Sequence, residues 1–159
     1  VGGVMTHYPG YGETGDTHTG QVTDTRSLEE LEGRDLVPFA MGIAQGLGAI
    51  LVSHNIVTAL DSSLPASLSP KVVDYLRNNM GFQGVIVTDD LVMGALGEYT
   101  PEEAAVLAVQ AGATLLCSTD FDTQIPAVLE AVRDGRISET AIDDAAYRNL
   151  TWKLQLGLI

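Results

Sequence analysis

The 159-residue chain is poor in positive charge: 8 Lys and Arg stand against 21 Asp and Glu, a formal net charge of −13. So acidic a surface repels phosphate backbones, and no basic patch interleaved with aromatics is present, so no nucleic-acid partner is expected. There is a single cysteine, Cys117, so no internal disulfide can form. Its place in an apolar run predicts a small buried hydrophobe. No apolar run approaches the roughly 20 residues that a membrane-spanning helix needs, and no membrane partner is expected. No secretory leader is visible, which leaves the compartment open with a lean to the cytoplasm. The glycine-rich phosphate loops of nucleotide-binding folds and the G-x-S-x-G elbow of serine hydrolases are both missing. The three histidines have neither i, i+4 helical spacing nor a C-x-x-C partner, so a metal site is only weakly signalled.

What is there reads as a globular domain, with 45% hydrophobic and 18% charged residues. Val1–Met5 ends a strand, and a Gly-, Thr- and Asp-rich loop follows from His7 to about Arg26. Ser27-Leu28-Glu29-Glu30 has the form of a capping box opening a short helix that stops near Gly33; a second helix spans about Asp35 to Gln45. Short apolar strands follow at Ala49–His54, Val85–Asp89 and Ala113–Cys117. Ser69-Pro70 and Thr100-Pro101 open helices between them, with the hydroxyl as cap and Pro at the first position. Helices over about Thr123–Arg133 and Ser138–Leu156 close the chain. Strand starts near residues 49, 84 and 113 suit βα units of about 30 residues each. Repeated βα units with apolar strands imply a parallel α/β sheet. Four strands make either a small open doubly wound sheet or half of a (β/α)8 barrel.

Ionisable residues gather where strands end. His7 follows the first strand, His54 ends the second, Asp89 and Asp90 end the third, and Asp120 lies after the fourth. In parallel α/β folds these ends share one rim. Asp16 and His18 sit in the long loop leaving that rim. A carboxylate two residues from an imidazole can accept its N–H and fix its tautomer, as a histidine general acid or base requires. Bland readings stand beside these. Asp89 or Asp90 could cap a following helix, His54 reads as a satisfied core histidine, and Asp16-Thr17-His18 could be a solvated turn.

Several blocks together resemble glycoside hydrolase family 3, closest to its bacterial β-N-acetylglucosaminidase branch. His7-Tyr8-Pro9-Gly10-Tyr11-Gly12 and Asp16-Thr17-His18 resemble its K-H-F-P-G-H-G…D-S-H signature. Asp35-Leu36-Val37-Pro38-Phe39, Leu64-Pro65-Ala66-Ser67-Leu68-Ser69 and Gly81 to Met93 are similar to its next three blocks, in order. Arg148, Lys153 and Leu156-Gly157-Leu158 are similar to its ending. The resemblance implies a retaining exo-glycosidase for terminal β-linked N-acetylglucosamine, of muropeptide or chitooligosaccharide type, with no metal and no cofactor. It further implies residues 1–159 as a single partial catalytic domain, the C-terminal half of a TIM barrel. Asp89 would be the nucleophile, His18 the acid/base, Asp16 the residue orienting His18, and His7 a ligand of sugar hydroxyls. The partner would be a carbohydrate, with the other half-barrel or a dimer partner completing the site. Three departures stand out. Thr6 replaces the motif's Lys, a loss worth about 1.5–3 kcal/mol of binding if that charge-assisted hydrogen bond is not replaced. Tyr11 replaces its second His, and the stretch from His7 to His18 is one residue shorter. A β-glucosidase-like specificity and an inactive assembly half-domain therefore stay open.

Overall fold

The computed structural model describes residues 1–159. Its strands are β1 (Val4–Tyr8), β2 (Thr23–Asp24), β3 (Ala49–Val52), β4 (Ile56–Val57), β5 (Val85–Asp90) and β6 (Leu115–Cys117). The main sheet has the order β1-β3-β5-β6 with every pairing parallel; β2 and β4 form a separate parallel pair beside it. A doubly wound sheet reverses the direction in which strands are added and so carries helices on both faces. Here each strand adds beside the last, and with right-handed crossovers that puts the helices on one side. The sheet is therefore half of a barrel, four consecutive strands of the eight, and the open doubly wound alternative is set aside.

The helix-facing side of the sheet carries Ile50, Val52 and Ile86. They pack with Leu31, Leu36 and Phe39 on one side and with Val72, Val73 and Leu76 on the other, all buried. Each such side chain contributes roughly 1.5–3 kcal/mol by leaving water. The Ser27 capping box is formed in both directions at α1 (Leu28–Glu30). The expected stop at Gly33 is absent. The chain instead passes through a π turn, Leu31–Asp35, straight into α2 (Leu36–Ala44). The wider turn brings Leu31 and Leu36, five apart, onto one buried face, which α-helical spacing would not do. Ser69 caps α3 (Pro70–Asp74), accepting a hydrogen bond from the Val72 N–H. Thr100 and Glu103 form the reciprocal box at α4 (Pro101–Ala111). Beyond lie α5 (Phe121–Arg133) and α6 (Glu139–Gln155).

The opposite face of the sheet is thinly covered. Leu51, Val87 and Leu115 lie in one register row across it. Leu115, on the edge strand, is 43% exposed. This corrects the reading of Cys117 as buried: it is exposed, because β6 has no strand beyond it. Partial burial, with the charges of Asp90 and Asp89, pushes its thiol up, so it stays protonated.

At the N-terminal ends of the strands, α6 crosses the sheet as a floor. A Cβ at Gly48 would collide with the Trp152 indole, so only Gly allows this approach. Asn149 donates to the Thr114 carbonyl at 2.5 Å, and Arg148 donates to the Gln83 carbonyl. Arg77 donates to the Phe82 and Gly84 carbonyls at 3.0 and 2.7 Å, so guanidiniums satisfy three successive carbonyls ahead of β5. The floor leaves the C-terminal rim free for loops.

Candidate active site

β5 delivers Asp89 to that rim. One carboxylate oxygen, Oδ1, accepts the Asp90 N–H at 3.0 Å. The other, Oδ2, lies 3.7 Å from His7 Nε2 at the end of β1, too far for a direct hydrogen bond. The Asp89 side chain is 19% exposed and that of His7 42%. Asp89 caps no helix, because a short 3-10 turn at Gly94–Leu96, not an α-helix, comes next. Asp90 turns away from the rim and ties neighbouring segments, its Oδ1 accepting the Val92 N–H at 3.3 Å and the Thr119 hydroxyl at 3.3 Å.

The strand tip is held from below by His54. Its Nε2 donates to the Asp90 carbonyl at 2.9 Å, which leaves Nδ1 to accept from the Ser67 hydroxyl at 2.7 Å. His54 is fully buried. Burial pulls its pKa down, against the upward pull of that carbonyl and of the Asp89 and Asp90 charges, and keeps it neutral. The satisfied-core reading of His54 holds, with a positioning role that its sequence context did not signal. Thr88, also buried, accepts the Cys117 N–H at 3.1 Å.

Asp16 and His18 pair as their spacing suggests. Asp16 Oδ1 lies 2.7 Å from His18 Nδ1 and accepts the His18 backbone N–H at 2.9 Å. Those two hydrogen bonds, the backbone one first, hold the Asp16 carboxyl below its usual range. Nδ1 is thereby committed as donor, and Nε2 is the nitrogen free to take or give a proton. The pair is exposed, 74% for the His18 side chain and 62% for Asp16. Its backbone is nevertheless docked on the segment after β5. The Ala95 N–H donates to the Thr17 carbonyl at 2.9 Å, and a Cβ at Gly94 would lie 2.6 Å from the His18 carbonyl oxygen. Asp120, on the other hand, sits just ahead of α5 and makes no side-chain cap there.

Sequence reasoning missed what anchors the base of this loop. Arg26 donates to Asp24 through Nη2 at 2.6 Å and to Asp35 through Nη1 at 2.6 Å. Burial pushes the Asp24 carboxyl up, but the Arg26 hydrogen bonds and charge outweigh it and leave the carboxyl below its usual range. The signal was in plain view: an unpaired-looking Arg two residues from one Asp and close to the D-L-x-P-F block. Tyr11, where the motif has His, makes a second contact that no spacing announces. Its hydroxyl lies 2.6 Å from Thr17 Oγ1, and its ring meets that of His7 edge-on at 5.3 Å.

The chain is thus one of the α/β-barrel folds that set ionisable side chains at the C-terminal ends of parallel strands. It belongs to glycoside hydrolase family 3, since residues 1–151 match the model of the glycosyl hydrolase family 3 N terminal domain. It is 36% identical over 162 residues to a protein named beta-hexosaminidase LpqI from Mycobacterium bovis, covering 94% of this chain and 41% of that protein. To a beta-hexosaminidase of Chromobacterium violaceum it is 39% identical over 137 residues, 82% of this chain and 38% of that one. The structure of a family 3 beta-N-acetylglucosaminidase from a Paenibacillus species superimposes with a TM-score of 0.92 at 38% identity, covering 97% of this chain and 31% of that one. The chain spans about two fifths of the length of these curated relatives.

Proposed function

We propose that the protein carrying this chain is a retaining exo-glycosidase that removes terminal β-linked N-acetylglucosamine, of the muropeptide or chitooligosaccharide kind, without metal or cofactor. The observation that carries this reading is the unbonded Oδ2 of Asp89 facing His7 at the strand rim, beside a loop-borne Asp16–His18 pair. The names of the relatives support the sugar.

In the first step Asp89 Oδ2 attacks the anomeric carbon and the bond to the leaving oxygen breaks. The proton on His18 Nε2 passes to that oxygen, leaving a glycosyl ester on Asp89. In the second step water attacks the same carbon, gives its proton to Nε2, and the ester bond to Asp89 breaks. Two inversions give net retention. Asp16 holds the Nδ1 proton in both steps, so Nε2 is the nitrogen that gives a proton in the first step and takes one in the second. His7 lies where a sugar hydroxyl can sit between its Nε2 and Asp89.

The rest of the barrel would supply the remaining half of the sugar pocket. Support comes from the thin cover over Leu51, Val87 and Leu115 and from the open edge of β6. Exposed apolar side chains on α5, Phe121, Ile125 and Leu129, line a cavity together with Leu116 of β6. A dimer partner covering the same faces would show as a stable dimer of the isolated chain in size-exclusion chromatography. One observation favours a second specificity: Thr6, exposed on β1 where the motif has Lys, is compatible with a β-glucosidase-like preference.

The test uses the full-length gene product and a 5-fluoro-N-acetylglucosaminyl fluoride, which slows turnover of the intermediate. Peptide mass spectrometry then finds the sugar on Asp89. A sugar on another residue, or none with the enzyme active, sinks the assignment. Faster hydrolysis of the p-nitrophenyl β-glucoside than of the N-acetylglucosaminide would transfer the reading to β-glucosidase.

A further inference from the structure

Tyr11 touches both parts of the site and belongs to neither. Its ring edge stands against His7 at an interplanar angle of 81°, and His7 faces Asp89. Its hydroxyl meets the hydroxyl of Thr17, the residue between Asp16 and His18. Thr17 is only 1% exposed, so this hydroxyl has little water to turn to. The Thr17 carbonyl is meanwhile bonded to Ala95, beyond Asp89 on the same chain segment. Tyr11 itself is held: the Thr14 N–H donates to its carbonyl at 3.1 Å, and Asn55 donates to the Gly10 carbonyl at 3.2 Å. Burial pushes the phenol up; the Thr17 hydrogen bond opposes this and the Asp89 and Asp16 charges add to it, so Tyr11 stays protonated and able to donate.

We infer that Tyr11 is a positioning residue that cinches the loop carrying Asp16 and His18 onto the Asp89 strand through the Thr17 hydroxyl, while its ring fixes the His7 imidazole. A histidine at position 11, as the motif has it, is shorter and ends in a ring nitrogen; a phenol reaches further across a loop one residue shorter. The effect on catalysis rests on the acid/base role proposed above for His18; the effect on the loop does not.

The test is Tyr11→Phe in the full-length protein, which keeps the ring and deletes one hydroxyl. Amides of residues 14–20 exchange with solvent about fivefold faster in the variant, the factor expected for one neutral hydrogen bond. Turnover of substrates with poor leaving groups falls by a similar factor of about five while KM stays within about twofold, and turnover of an activated aryl glycoside changes less. Thr17→Val gives the same losses, and the double variant loses no more than either single one, since both remove the same contact. Unchanged exchange in the loop overturns the tie whatever the kinetics, and so do additive losses in the double variant. Faster exchange with equal loss on good and poor leaving groups keeps the tie and removes the acid role assigned to His18.

Discussion

Asp89 and His18 are assigned the two halves of one reaction, and the chain holds them in opposite ways. Asp89 ends a central strand with paired neighbours on both sides, and its side chain is 19% exposed. The residues flanking it in sequence are bonded in turn, Thr88 to Cys117 and Asp90 to His54 and Thr119. His18 sits in a loop, 74% exposed, with Asp16 as its one side-chain partner. The difference suits the tasks proposed for them. A nucleophile must meet one carbon from one direction within about 3–3.5 Å, and an error of an ångström there is costly. An acid/base must serve a leaving oxygen and then a water, so it gains from freedom to move.

The largest effect that this contrast predicts is for Asp89→Ala. With no group to form the glycosyl ester, kcat on p-nitrophenyl β-N-acetylglucosaminide falls on the order of 10⁴-fold or more. A loss below about tenfold means the strand tip is not the nucleophile, and the contrast collapses. His18→Ala comes next. General acid catalysis is worth about 10²–10⁴-fold, and that loss appears in full only on substrates whose leaving oxygen needs a proton. A dinitrophenyl glycoside, which leaves unaided, should lose far less. Equal losses on both would make His18 a structural or sugar-binding residue.

How much of this could be read from the sequence depended on whether the determinant was local. Strand β5 was legible because three β-branched residues precede its carboxylates. The caps at Ser27, Ser69 and Thr100 were legible because hydroxyl and Pro or Glu lie within one turn of each other. The Asp16–His18 pair was legible because it closes over two residues. The π turns at Leu31–Asp35 and Tyr75–Asn79 were not, since they serve to align buried side chains on a face that only the packed sheet defines. The exposure of Cys117 was not either, because an apolar triplet reads alike in a central and in an edge strand. Contacts such as His54 to Asp90 and Tyr11 to Thr17 join residues through the fold, and no period or spacing announces them.

A third prediction tests the anchor of the loop. Arg26→Met leaves Asp24, whose side chain is 1% exposed, with no cation, and Asp35, 10% exposed, with only Arg34 at 3.8 Å. Breaking such a pair costs about 3 kcal/mol, a large part of an ordinary stability of about 5–15 kcal/mol. Urea unfolding of the full-length protein reads it. If the midpoint does not move, the loop is anchored by its other contacts, and the ion pairs contribute no more than surface ones.

The smallest predicted effect compares the two imidazoles directly. His18 is open to solvent, whereas His54 lies beneath the strand tip, and burial draws its pKa below the ordinary 6.5. In the folded state the proton is resisted; in the unfolded chain it binds at the ordinary value. Stability from the neutral His54 is therefore complete above about pH 6.5 and declines as the pH falls below it, by at most about 1.4 kcal/mol per unit, until the folded pKa is reached. His54→Gln removes this titration along with the Asp90 contact. The variant should be less stable than the parent at pH 7.5, with the gap narrowing by pH 5.5. A gap that stays constant across that range would show that His54 titrates alike in both states. The tip of β5 would then owe its fixity to its strand neighbours alone.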